Sequence, residues 1–282
     1  MWLFLALGSA LALGVYDVVK KQALRTNGVL YVLLCATALS TLFLSPFLSS
    51  GPLEHHLLLI AKAALVTICW ISGLIALKLL PITTASTIKA SRPMFVVLFS
   101  VLIFGEKLNV WQWAGVAVTL AALYLLSRSS KREGIDFTHN RGILAMSISV
   151  LTGVASALFD KYILKLMEPL FVQSWCNLYI TAFLAVTVLV TYLRDREGAE
   201  RFRWDWKLLL IAVLITGSDF LYFFALKQDG ALLSVISLLR RCSVIVTFTL
   251  GAILFKEQNI RAKAADLTIL LAGILMLLLG SL

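Results

Sequence analysis

Acidic residues are scarce in this sequence, with 15 Asp and Glu among 282 residues against 25 Lys and Arg, so the formal net charge is +10 although only 14% of the chain is charged. Apolar residues make up 60% and the mean hydropathy is +0.94, more than a water-soluble globule can bury. The basic excess would suggest a nucleic-acid partner in a soluble protein. In this composition it fits basic loops facing anionic lipid instead. No stretch is rich enough in Ser, Gly, Pro or charge to be a disordered tail, and every polar interval is short, which excludes a tethered soluble domain.

Cysteine and histidine are also few. Cys35, Cys69, Cys176 and Cys242 are far apart, with no CxxC or Cys/His ligand spacing, and are expected as unpaired thiols within the bilayer region. His55, His56 and His139 fall in intervals between apolar runs. HExxH, Walker A, GxGxxG, GxSxG and Asp-rich diphosphate motifs are all missing, so no enzyme activity, cofactor or metal is expected. The opening "MWLFLALGSALALGVYDVVKK" lacks a basic leader and a small-residue cleavage site, and it reads as a first span rather than a removed signal.

What is abundant is long apolar runs. A helix needs roughly 20 apolar residues to cross a bilayer. That ruler places spans at 2–20, 29–49, 57–78, 83–104, 110–127, 142–165, 169–193, 207–228, 231–254 and 260–281. Runs of this length exclude a barrel of short strands. "ALKLLP" at 76–81 is answered by "ALKQDG" at 225–230, and "STIKASRPMFVVLFSVLIFGE" (Ser86–Glu106) aligns without a gap with "SLLRRCSVIVTFTLGAILFKE" (Ser237–Glu257). The fold expected is therefore an all-α integral membrane protein of ten transmembrane helices in two five-helix repeats: 1–127, a connecting loop 128–141, and 142–282. An odd number of spans per half inverts the second relative to the first. Secondary transporters with inverted repeats hold their substrate near the midplane between the halves.

With these repeats on the page, the sequence resembles the drug/metabolite transporter superfamily, EamA-like branch, over nearly its whole length. The resemblance rests on "ALKLLPITTASTIKASRPMFVVLFSVLIFGEKLNVWQWAGVAVTLAALYLLS" and its weaker C-terminal counterpart. It implies transport of drugs, amino acids, nucleotide sugars or sugar phosphates, and cytoplasmic termini. Loop charge implies the opposite orientation. One face holds Lys20, Lys21, Arg25, Lys78, Arg128, Lys131, Arg132, Arg141, Arg194, Arg196, Arg201, Arg203, Lys207, Lys256, Arg261 and Lys263; the other holds Lys107, Lys165 and Lys227. The positive-inside rule makes the first face cytoplasmic and both termini non-cytoplasmic, in a plasma (inner) membrane. Trp2, Trp111, Trp113, Trp204 and Trp206 are expected as interfacial anchors, and Glu106 and Glu257 as turn or cap residues at helix ends.

Six cations remain inside spans. Lys62 and Lys161 lie near enough to an end to snorkel. Lys89, Arg92, Arg240 and Arg241 do not: Lys89 is about 9 Å and Arg240 about 14 Å from the start of its span at 1.5 Å per residue. Such depth costs roughly 3 to more than 10 kcal/mol unless a wet cavity or a partner receives the charge. The repeat alignment places Lys89 opposite Arg240, so a central basic site is expected, with Tyr222 completing the substrate-binding candidates Lys89, Arg92, Arg240 and Arg241. "IKASRPMF" and "RRCSVIV" are similar to the fourth- and ninth-span motifs of organellar phosphate translocators, and that likeness implies a phosphate-binding role for Lys89, Arg240 and Arg241. Ser91, Arg92 and Arg240 depart from the translocator pattern.

Asp219 and Asp160 are candidates for a coupling or counter-ion role, with Arg241 a possible partner of Asp219. Asp17 is assigned to Lys20 and Lys21 at i+3 and i+4. The function expected is a secondary active transporter of a small organic anion, possibly phosphorylated, acting by alternating access. The alternatives are an EamA-type exporter of neutral or amphipathic metabolites, with the basic residues neutralised by Asp160 and Asp219, and a non-transporting membrane subunit. The partners expected are the lipid bilayer and a small-molecule substrate, with no nucleic acid, in a monomer or homodimer.

Overall fold

Helices follow the apolar runs. The structure, a computed structural model, describes residues 2–104, 108–131, 135, 137–163, 166–194, 202–226, 228, 240, 242–257 and 259–280. The first half contains α1 (Trp2–Ala23), α2 (Val29–Leu44) with a 3₁₀ turn (Ser45–Phe47), α3 (Leu53–Leu79), α4 (Ile82–Ala90), α5 (Arg92–Phe104) and α6 (Val110–Lys131). The second contains α7 (Arg141–Ile163), α8 (Pro169–Arg194), α9 (Trp206–Leu226), α10 (Ser243–Phe255) and α11 (Ile260–Leu279). There is no strand among the described residues, and seven of the helical stretches are long and apolar enough to cross a membrane.

All five prolines stand at helix boundaries, where a missing N–H costs no helical hydrogen bond. Pro46 lies in the 3₁₀ turn, Pro52 and Pro81 precede α3 and α4, Pro93 is the second residue of α5, and Pro169 opens α8. The fourth segment is thus not the continuous span expected over 83–104. It breaks at Ser91, whose N–H and hydroxyl both donate to the Ile88 carbonyl, at 3.1 and 2.7 Å. Cys242, the position aligned with Ser91, likewise stands just before a helix start, with φ −62° and ψ −10°. α3 begins four residues earlier than expected, so His55 and His56 sit in its first turn; His56 accepts or donates a 2.8 Å hydrogen bond with the Tyr179 hydroxyl and meets Trp175 edge-on.

The main helix pairs that pack across the two halves are unchanged when the halves are exchanged. α1 packs on α9 and α3 on α7; α3 packs on α8 and α2 on α9; α1 packs on α10 and α5 on α7. α2 with α8, and α6 with α11, pair across the centre. Small and hydroxylated residues carry the close crossings, as is usual where lipid removes a hydrophobic drive between helices. Ser9 and Ser218 each donate to the other's carbonyl at 2.8 and 2.9 Å, Ser40 bonds Thr216 and Thr41 bonds Thr181. The outer surface is apolar, with Phe4, Leu42, Leu102, Val110 and Ile253 all well exposed. Trp111, Trp113, Trp204 and Trp206 are exposed at or beside helix starts.

The segments after α1, α3, α6 and α10 gather on one face. There Lys21 Nζ bonds the Leu77 and Leu80 carbonyls, Arg203 N–H bonds Asn27, and Asn259 bonds the Ser129 carbonyl. On the opposite face Trp175 donates to the Ser49 carbonyl and Asn109 to that of Gly280.

Candidate functional site

Two adjoining cavities occupy the centre between the halves. The first, about 510 Å³, is lined by Tyr16, Asp17, Lys20, Lys89, Arg92 and Arg240, with Asp160 and Tyr222 at its border. The second, about 840 Å³, has mainly apolar walls, among them Val32, Leu33, Val66, Val172 and Ile211, and reaches Leu44 and Pro169 near the sparsely charged face. Tyr16, Lys20, Trp70, Asp160, Ile215 and Tyr222 border both.

Each carboxylate in these walls holds a cation. Lys89 Nζ lies 3.0 and 2.8 Å from the two oxygens of Asp17, linking α4 to α1. Arg240 is paired with Asp219 and stacks over the Tyr222 ring at 4.5 Å; the second Asp219 oxygen accepts a 3.1 Å bond from Gln173. Lys62 is paired with Asp160, joining α3 to α7. In total five cations (Lys20, Lys62, Lys89, Arg92, Arg240) face three carboxylates (Asp17, Asp160, Asp219) among the described residues.

Residues 1–128 match the model of the EamA-like transporter family. Over those residues the chain is similar to that family. A solved structure titled only "Crystal structure of protein" is similar over both halves: it is 15% identical, the match covers 96% of each chain, and the TM-score is 0.60. At that identity the similarity is one of fold. Comparison with curated proteins finds no match. A fold shared with that structure therefore spans both halves and frames the central cavities.

Within this frame, the candidates Lys89, Arg92, Arg240, Tyr222 and Asp160 come together on the first cavity and Asp219 on the second. Arg241, with Glu106, Lys107, Lys165 and Lys227, lies outside the described residues, as does the side chain of Lys161. Several assignments differ from expectation. Asp17 pairs with Lys89 rather than with Lys21, because α1 turns Asp17 into the cavity that α4 also lines; Lys20 remains 3.9 Å from it. Asp219 is paired with Arg240, while Arg241, the partner expected, lies outside the described residues. Lys62, expected to snorkel, is instead buried and paired with Asp160. Lys20 and Lys263, counted as loop charges, are buried, and Lys21 is tied down by α3 carbonyls. Removing these three leaves 13 basic residues on that face against 3.

Two features escaped the sequence reading. Lys20 borders both cavities, 3.2 Å from the Tyr16 hydroxyl and 4.3 Å from the centre of its ring. Gly153 lies flat against Arg92, where an added Cβ would stand 2.3 Å from the guanidinium carbon.

Proposed function

We propose that the protein is a secondary active transporter of a small organic anion, phosphorylated or carboxylated, taken up in the central cavities and released by rocking one half against the other. The observation that carries this reading is the surplus of two cations over carboxylates in walls held within the bilayer. An anion relieves that surplus, and guanidinium and ammonium groups suit phosphate and carboxylate oxygens. A second reading, export of a neutral or amphipathic metabolite, is favoured by the three complete ion pairs and by the apolar walls of the larger cavity. Thermal unfolding of the purified protein with matched phosphorylated, carboxylated, neutral and cationic metabolites decides between them. A rise in midpoint confined to anions is expected; a response confined to neutral or cationic compounds removes the anion reading.

The same proposal includes orientation. The basic face, 13 residues against 3 after correction, is assigned to the cytoplasm and both termini to the other side. In an otherwise cysteine-free variant, a cysteine at Ser129 should resist an impermeant thiol reagent in intact cells, and one appended after Leu282 should react. The reverse pattern would reverse the topology.

A further inference from the structure

We infer that the anion's charge is received by Lys20 and Arg92, rather than by the pair Lys89 and Arg240 that repeat symmetry points to. The inference deepens the reading of the central cavities as an organic-anion site and rests on it.

Charge balance singles out these two residues. Both oxygens of Asp17 are within 3.0 Å of Lys89, so Lys20, at 3.9 Å, has only the remoter side of an already neutralised carboxylate. Its single close hydrogen-bond acceptor is the Tyr16 hydroxyl, for an ammonium group that has three N–H donors. Arg92 has no carboxylate partner among the described residues. Its Nη2 donates to the Ser149 carbonyl at 3.2 Å and to Cys69 Sγ at 3.4 Å, both neutral groups, while Nε is buried with no acceptor. Lys89 and Arg240, in contrast, already hold carboxylates. A buried cation without a counter-ion is the costly arrangement that a bound anion removes.

Placement agrees with charge. Lys20 stands where the two cavities join, and Arg92 lines the smaller one, so an anionic group between them would leave the rest of its molecule facing the larger, apolar cavity. Gly153 is what allows Arg92 its seat, since any side chain there would collide with the guanidinium. The two cations also come from different helices, Lys20 from the unbroken α1 and Arg92 from the first residue of α5, just past the break at Ser91. The substrate class is therefore an organic anion carrying a compact phosphate or carboxylate head on an apolar or ring-shaped body.

The test uses the full chain in nanodiscs, with inorganic phosphate and phenyl phosphate as probes and the thermal midpoint as readout. Phenyl phosphate should raise the wild-type midpoint at lower concentration than inorganic phosphate, because its ring enters the larger cavity. Lys20→Met and Arg92→Gln should each weaken the phenyl phosphate response about tenfold or more. Without ligand, both variants should unfold no earlier than wild type, since each removes an unbalanced charge. Gly153→Ala, which changes no charge, should weaken binding similarly by displacing the guanidinium, and it carries the test should a charge variant fail to fold. Wild-type affinity in Lys20→Met and Arg92→Gln, with loss in Lys89→Met or Arg240→Gln, overturns the assignment and leaves the anion reading standing. A wild-type protein indifferent to both probes, yet stabilised by neutral or cationic compounds, removes both.

Discussion

Asp219 shows how one carboxylate balances the second half of the site. It accepts from Arg240 on one oxygen and from Gln173 on the other, and Arg240 in turn lies over Tyr222. Replacing Asp219 by Asn leaves the Arg240 cation uncompensated, which we expect to lower stability by about 1–3 kcal/mol, less than for a fully buried pair because both side chains are about a quarter exposed to the cavity (24% and 23%). Adding Arg240→Gln to Asp219→Asn should restore most of the lost thermal midpoint. A well-folded Asp219→Asn protein whose transport no longer follows a proton gradient would instead make Asp219 the proton carrier. At this scale the sequence revealed Lys89, Arg92 and Arg240, because a charge deep in an apolar run is anomalous by position alone. It concealed Lys20, since Asp17 three residues earlier supplied a local partner and Lys89, 72 residues away, is a competitor that only folding brings near.

At the level of helices, the sequence read well where bilayer thickness is the ruler and poorly where the ruler is blind. The limits of α1, α6, α7, α8 and α9 fall within a few residues of the apolar runs, because a span must satisfy its own backbone whatever its neighbours. The break at Ser91 escapes that ruler because 83–104 is read whole by its length, although Thr83, Thr84, Ser86, Thr87, Lys89 and Arg92 make its first part polar. Proline is not its general cause: Pro93 follows Ser91, whereas Val244 occupies the corresponding place after Cys242. What the two positions share is their place in the repeat, each just before a helix start, and at Ser91 this lets α4 end, and α5 begin, at the cavity wall. Close helix crossings also escape a ruler of length. Gly115 and Gly273 bring α6 and α11 so near that a Cβ on Gly115 would lie 2.8 Å from the Gly273 carbonyl oxygen, and the Gly115-x-x-x-Thr119 spacing at this crossing goes unread.

Taken whole, the molecule is tied shut at its basic face, while the larger cavity extends toward the other face. Glu257, from the second half, accepts the N–H of Ile82 at 2.6 Å, the N–H of Thr83 at 3.1 Å and the Thr83 hydroxyl, and so caps the N-terminus of α4 in the first half. Lys263, fully buried, donates to the same hydroxyl at 3.2 Å. The turn that presents Glu257 is strained: Lys256 and Asn259, at φ 49° and 55°, are the non-glycine residues with positive φ among those described, and such conformations cost on the order of 1 kcal/mol each. If the halves rock as proposed, a carboxylate held across them on this turn, about two helical turns from Lys89, has to leave α4 before this face opens. Glu257→Ala should therefore shift the balance of states as well as remove a cap. In a cysteine-free background, a cysteine at Ser86, which lines the smaller cavity, should react with an impermeant thiol reagent mainly from the sparsely charged face. With Glu257→Ala, its reaction from the basic face should rise about 5-fold or more, the change expected for a loss of ~1 kcal/mol from the closed state, and Glu257→Gln, which keeps an acceptor without the charge, should fall between. A lower thermal midpoint with the sidedness of labelling unchanged would reduce Glu257 to a helix cap with no part in closing the face.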